Sequence, residues 1–252
     1  VNENIAILEL KYGNIYGGYP NFFAIAEIAL LVFEPRSKKI FVETWQNRVD
    51  VDYVSVYSKV NELGHTIGRV KEVVNMKTGR RRPFLEEFKL DKKALQYSFK
   101  QLRPVHNWVK KFLLNCFRKY RLRYIITFDG RRDIFLCERT GVKFNRFEII
   151  DLQKDLNKET DYLFSLNKLS VVINFRLEGS YLRSNNLEYW LHPIAAKQIR
   201  PGTAAYDAAR LLMVYNEYTE HHADFLLKAQ LLLNKIQGIK KEEESNGKAE
   251  EA

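Results

Sequence analysis

Four side chains stand where their types and spacing could do chemistry: Glu9, Lys11, Asp133 and Asp207. Asp133 lies in the phrase Phe128-Asp-Gly-Arg-Arg-Asp-Ile-Phe-Leu136, and Asp207 in Gly202-Thr-Ala-Ala-Tyr-Asp-Ala-Ala-Arg-Leu-Leu212. Each falls in the first turns of an amphipathic helix, where an acid complements the positive end of the helix dipole. A carboxylate is also the hard oxygen ligand that Mg²⁺ prefers. Glu9 and Lys11 sit two apart in Ile7-Leu-Glu-Leu-Lys-Tyr12, a spacing that turns both to one side of a strand. An ammonium beside those acids acts as a counter-ion. Histidines 65, 106, 192, 221 and 222 have no ligand spacing with acids or cysteines, which argues against a zinc site. Gly64-His-Thr-Ile-Gly68 lacks the Gly-Lys-Ser/Thr ending of a phosphate loop.

These residues need elements to position them. Residues 4 to 10 form a short apolar run, the pattern of a buried strand. Phe22 to Phe33, a turn at Glu34-Pro-Arg-Ser-Lys-Lys39 and residues 40 to 46 read as an antiparallel hairpin. The loop before it is punctuated by Gly13, Gly17, Gly18 and Pro20. Residues 48 to 91 are the least regular. Asp91 is placed to cap a helix through Leu102, and Pro104 to open the next. Val105, Trp108, Val109, Phe112, Leu113, Cys116, Phe117 and Tyr120 then repeat at helical spacing and predict one buried stripe. Strands at 124–128 and 146–151 enclose the Asp133 helix, the size of a parallel crossover. Leu169 to Phe175 reads as a strand and Ser184 to Trp190 as a short capped helix. Helices over 203–215 and 225–236 close the chain, and the charged segment from Lys240, without aromatics, is expected to be disordered.

The two aspartate phrases resemble the second and third metal-binding motifs of DnaQ-like exonucleases of the DEDD family, at Asp133-Ile-Phe-Leu136 and at Ala204-x-x-Asp207-Ala208. The resemblance implies an α/β, RNase H-like mixed sheet of about five strands with helices on both faces, plus an extra C-terminal helix. It implies two Mg²⁺ or Mn²⁺ ions held by four acids, which activate a water and stabilise the leaving oxygen of a phosphodiester. Glu9, Asp133 and Asp207 stand at three of those acid positions. Lys11 stands at the fourth, where it could pair with Glu9 or Asp133 and neutralise the pocket. The general-base positions hold Gly202 and Thr203, neither a histidine nor a tyrosine. Tyr206 points about 100° away from Asp207 around the helix. Glu27 is expected at an edge or in solvent. Such a pattern implies a degenerate site and a pseudoenzyme, with no cofactor expected and Mg or Mn only if the site is active.

The 252 residues suit one large domain with appendages, set here at 1–220, with a C-terminal helix at 221–239 and a tail at 240–252. The formal charge is +10 and 13% of residues are aromatic. A basic, aromatic body fits an anionic partner, with DNA or RNA leading. The residues expected to contact it are Lys77, Arg80, Arg81, Arg82, Arg121, Arg123 and Arg183; solvated loop charge is the other reading of these clusters. Phe22, Phe23 and Tyr181 are types that stack on a single strand. Cys116 and Cys137 form no disulfide framework. No signal peptide or membrane span is read, so the chain is expected to be cytoplasmic. Three functions follow in order. The first is an inactive exonuclease-like domain that binds nucleic acid, alone or as a subunit of a processing complex. The second is an active or weakly active 3′–5′ exonuclease on single-stranded DNA or RNA. The third is a protein–protein interaction module, its C-terminal helix being one surface for a protein partner.

Overall fold

The computed structural model of the chain describes residues 3–17, 22–85 and 92–250, with residues 239–250 as backbone alone. Asp91, the expected helix cap, and Gly18 and Pro20 of the first loop lie outside the described residues. The apolar runs at the start form an antiparallel meander of β1 (Ile5–Ile15), β2 (Phe23–Glu34) and β3 (Lys39–Gln46). From Ala24 to Phe33 every residue of β2 except Glu27 is buried, because helices cover both faces of the sheet.

The irregular stretch after β3 holds a long antiparallel hairpin, β4 (Asp52–Val60) and β5 (Thr66–Asn75), with β6 (Arg81–Pro83) paired to β5. It springs from the end of β1, where Asn14 and Ile15 pair with Val54 and Tyr53. Gly13 permits this approach, since a Cβ there would stand 2.0 Å from the Val54 carbonyl oxygen. Helices α1 (Lys92–Leu102) and α2 (Val105–Tyr120) follow. Then β7 (Tyr124–Thr127) runs parallel to the start of β1, α3 (Arg131–Glu138) crosses over, and β8 (Glu148–Asp151) runs parallel to β7. The strand order is β3-β2-β1-β7-β8 with β2 antiparallel to its neighbours, and β4-β5-β6 continues from the end of β1. Among the described residues the sheet therefore has eight strands, more than the five expected, because the hairpin joins it.

Beyond β8 come α4 (Leu152–Thr160), α5 (Leu166–Val172), a small sheet of β9 (Arg176–Glu178), β10 (Tyr181–Arg183) and β11 (Glu188–Trp190), α6 (Pro193–Ala196), α7 (Ala204–Glu220) and α8 (His222–Glu250). Alternation along β1 divides the core. Ile5 and Ile7 pack with α4, α5, α7 and α8, while Ala6, Leu8 and Leu10 pack with α2 and α3. Leu211 and Leu212 of α7 are wholly buried, each worth about 2 kcal/mol in apolar surface removed from water. This anchors the helix that carries Asp207. Among the described residues no helix is long and apolar enough to cross a membrane.

Several expectations are corrected. Leu169 to Phe175 is not a strand: Leu169 and Val172 lie in α5, which the Ser165 side chain caps by accepting the Lys168 N–H. Its β-branched run looked extended, yet Leu169, Val172 and Ile173 bury at helical spacing. Ser184 to Trp190 is a turn closed by Ser184 N–H to Leu187 carbonyl at 2.9 Å and then β11, not a helix. Trp108, placed on the buried stripe of α2, is 48% exposed. α8 runs to Glu250, past the boundary drawn at 239 from composition.

Candidate functional site

Three elements meet on the α7 side of β1. Glu9 and Lys11 continue the Ile5, Ile7 face of the strand, Asp133 is in the first turn of α3, and Asp207 in the first turn of α7. Strand pairing puts the start of β7 beside Ile5, so the loop into α3 rises along β1 toward Glu9. The four residues singled out in sequence are thus brought into one another's electrostatic reach.

Asp133 is 8% exposed. Burial pushes its carboxyl up to about 7, Asp129 adds to the rise, and a backbone hydrogen bond at Leu10 and the Lys11 charge hold it back. Glu9 is raised well above the usual carboxylate range, first by burial and then by the charges of Asp133 and Asp207, with Lys11 and Arg210 opposing. Asp207 behaves oppositely. Burial would raise it, but Lys11 and Arg210 outweigh burial and hold it below the usual range. One carboxylate is therefore firmly ionised, and two compete to stay protonated.

The reason is a pair of cations on Asp207. Lys11 Nζ donates to Oδ2, and Arg210 Nη2 donates to Oδ1 at 2.5 Å. Lys11 was expected on Glu9 or Asp133; it pairs instead with Asp207, because the start of α7 sets that carboxylate against the end of the strand. Arg210 escaped sequence reading, although its signal was present: it lies three residues after Asp207, hence on the same helix face. Its other nitrogen, Nη1, donates to Asn167 Oδ1 at 2.7 Å and Ser170 Oγ at 3.4 Å, and its guanidinium stacks on Tyr206. Tyr206 also meets Phe175, a packing role.

The start of α7 is occupied by caps. Thr203 Oγ1 accepts the Tyr206 N–H at 3.2 Å, and Glu27 accepts the Ala204 N–H at 3.1 Å. Glu27, expected from sequence at an edge or in solvent, is at neither. It is half-buried in β2, between β1 and β3, opposite Lys11 in register. Gly202 has no side chain to take a proton, and the Thr203 hydroxyl also donates to the Arg200 carbonyl at 2.7 Å.

The donor set does not fit a divalent ion. Both oxygens of Asp207 already receive cationic donors, and among the described residues no group of three or more His, Cys, Asp or Glu side chains is placed to hold a metal. Beside this centre opens a cleft of about 900 Å³, bordered by Lys11, Asn14, Glu27, Tyr53, Tyr57 and Arg81. Asn14 Oδ1 is buried and has no hydrogen-bond partner among the described residues.

The basic residues do not converge. Lys77 and Arg80 are exposed on the β5–β6 turn, Arg81 pairs with Glu72 at 2.9 Å, and Arg82 pairs with Asp52 at 2.9 Å and lies over Tyr16. Arg81 alone of these reaches the cleft. Arg121 and Arg123 stand at the other end of the sheet, beside the start of β1, where Arg123 pairs with Glu3 at 3.1 Å. At about 3.3 Å per residue the start of β1 is roughly 20 Å from Lys11. Arg183 is on the small sheet, paired with Glu178 and Glu188 at 2.6 Å each and stacked on Tyr181. Phe22 and Phe23 are engaged with Phe99 and Tyr12, under Arg139 and Arg132.

No family model matches the chain, and no curated protein matches it. Among solved structures, the crystal structure of a full-length 3′-exonuclease matches with a TM-score of 0.44 and 13% identity, over 88% of this chain and 62% of that one. The chain spans less than two thirds of that protein.

Proposed function

We propose that this chain is an RNase H-like domain of the DnaQ type that binds nucleic acid in the cleft beside Lys11 and does not hydrolyse it, acting within a nucleic-acid-processing assembly. The strand order β3-β2-β1-β7-β8, with β2 antiparallel in an otherwise parallel set, supports the fold part of this reading. The observation that carries the functional part is the double cation on Asp207. Metal-assisted hydrolysis needs carboxylates free to take a metal and a base to take a proton from water. Here Asp207 is saturated by Lys11 and Arg210, burial raises the pKa of Glu9 and Asp133 and so opposes their ionisation, and Gly202 and Thr203 offer no base. For binding, the cleft offers Tyr57 and Arg81, a stacking ring and a guanidinium of the kind that hold single strands.

The test is direct. Labelled single-stranded DNA and RNA are incubated with the protein and Mg²⁺ or Mn²⁺, and binding is titrated across salt. No cleavage is expected, with an affinity that falls steeply as salt displaces phosphate contacts. Cleavage that disappears in Asp133→Ala and Asp207→Ala would overturn the inactive reading. Affinity indifferent to salt would favour a protein-binding module instead.

A further inference from the structure

A second cavity, of about 280 Å³, opens on the α2–α3 side of the sheet, away from the Lys11–Asp207 centre. Its floor is laid by Ala24 and Ile25 of β2, Leu102 and Val105 where α1 meets α2, and Leu136 of α3, all buried. Its walls are three half-buried rings, Phe22, Phe23 and Phe99, with Phe22 and Phe99 edge to face at 4.6 Å. The rim is basic. Arg103, His106 and Arg139 border it, all exposed, and among the described residues no carboxylate does. Arg132 adds a further cation, 4.5 Å over the Phe23 ring. Among the described residues none of these three guanidiniums is in an ion pair, unlike those of Arg81, Arg82, Arg123, Arg183 and Arg210. Arg139 instead lies over the rings of Phe22 and Phe135, the latter 54% exposed. Its charge reaches across to His106, whose imidazole is held below its ordinary pKa by burial first and by Arg139 second.

We propose that this pocket docks a protein partner through one large apolar side chain, leucine or phenylalanine, set among aspartates or glutamates. The floor and walls select the anchor, and the rim selects its flanks. Floor and walls present apolar side chains alone, so a nucleobase seated there would leave its polar ring atoms unpaired at a cost. An aliphatic or phenyl group has no such atoms to satisfy. At about 280 Å³ the cavity is smaller than the roughly 300–1,000 Å³ of pockets that enclose a small molecule. It suits a single anchoring side chain of the kind that dominates protein interfaces. Carboxylates beside that anchor would meet Arg103 and Arg139, whose guanidinium forks match them in charge and shape. Such a partner leaves the cleft open, because among the described residues Phe23 alone borders both. The inference goes beyond the nucleic-acid reading: it gives the surface by which the chain joins an assembly, and it holds whether or not the cleft takes a strand.

The experiment selects a display library of random peptides against the intact chain and measures the resynthesised winners by fluorescence anisotropy. Winners are expected to share a leucine or phenylalanine flanked by acids. Their affinity should fall at least about tenfold in Arg103→Glu/Arg139→Glu, two exposed positions whose reversal spares the core. Phe22→Ala, which removes a wall, should weaken them to a similar degree. Arg36→Glu/Lys39→Glu makes an equal change of charge on the turn at the other end of β2 and should leave their affinity unchanged. A library without winners, winners without acids, or winners that bind Arg103→Glu/Arg139→Glu as well as the parent overturn the docking site. A labelled oligothymidine on the same variants separates this reading from that of the cleft. Its affinity should be the same for the parent and for Arg103→Glu/Arg139→Glu. An oligothymidine that weakens in step with the peptides makes the rim a nucleic-acid surface and overturns the proposal. One that binds neither chain overturns the cleft reading and leaves this one standing.

Discussion

Replacing Lys11 by methionine keeps most of the aliphatic stem and removes the ammonium that sits on Asp207. Two unit charges about 4 Å apart in an effective dielectric of about 20 attract by about 4 kcal/mol. Lys11 is 32% exposed and Asp207 18%, so screening and the cost of having desolvated the ammonium offset roughly half of that. The expected loss is ~2 kcal/mol at pH 8, a fall in melting temperature of about 4–8 °C for a chain of this size. The loss has a pH signature. Lys11 also opposes the rise of Glu9 and Asp133, so its removal is felt most where those carboxyls must ionise. At pH 5 Asp133 is protonated, and the loss should shrink by about 1 kcal/mol, the worth of most of a pKa unit. Urea unfolding at both pH values, with Lys11→Arg as the charge-keeping control, measures it. A Lys11→Met chain as stable as its parent at pH 8, or one with the same loss at both pH values, would refute the charge balance described for this site.

Two further outcomes follow from the same geometry. Asp133 has a folded pKa of about 7, above its unfolded value, so the folded chain binds the extra proton and stability declines as pH rises from about 4 to about 7. Asp133→Asn should flatten that decline and be more stable than the parent at pH 8 by ~2–4 kcal/mol, read from urea midpoints. Thr203→Ala removes the cap on the Tyr206 N–H and should cost about 1 kcal/mol in thermal unfolding. Because α7 carries Asp207, amide exchange should quicken first at its start.

Where one periodicity dominated, the sequence was readable. β1, β2 and β3 announce themselves as apolar runs, and α2 and α7 as helical stripes, because burial on a fixed face leaves a regular mark. Asp133 and Asp207 were legible for the same reason, being acids at the start of helices whose positions the stripes define. α5 was not, since Val171, Val172 and Ile173 favour strands and only packing on α7 decides the issue. The β4–β5 hairpin was missed because much of it stands clear of the core: Val56, Tyr57, Val60 and Ile67 are exposed, so no inward-outward contrast marks it. The pairing of Lys11 was wrong in sequence for a related reason. Which acid an ammonium meets depends on where α7 docks, and that is a long-range fact about Leu211 and Leu212 rather than about β1.

The charge balance also gives Asp207 a structural task. Lys11 and Arg210 are both held in part by Asp207, and Arg210 is 14% exposed with its Nε buried and unpartnered. Removing Asp207 would leave two cations facing each other with little water to screen them, a change that costs several kcal/mol in a partly buried site. Keeping Asp207 while adding a further acid in place of Lys11 would force carboxylates together that already hold their protons against burial. The centre is thus self-neutralising: one ionised aspartate, two internal cations, and two carboxyls that protonate as needed. Such a centre ties β1 to α7 by charge just beside the cleft. It also ties α7 to α5, on which the hairpin tip rests, through the Asp207–Arg210–Asn167 chain.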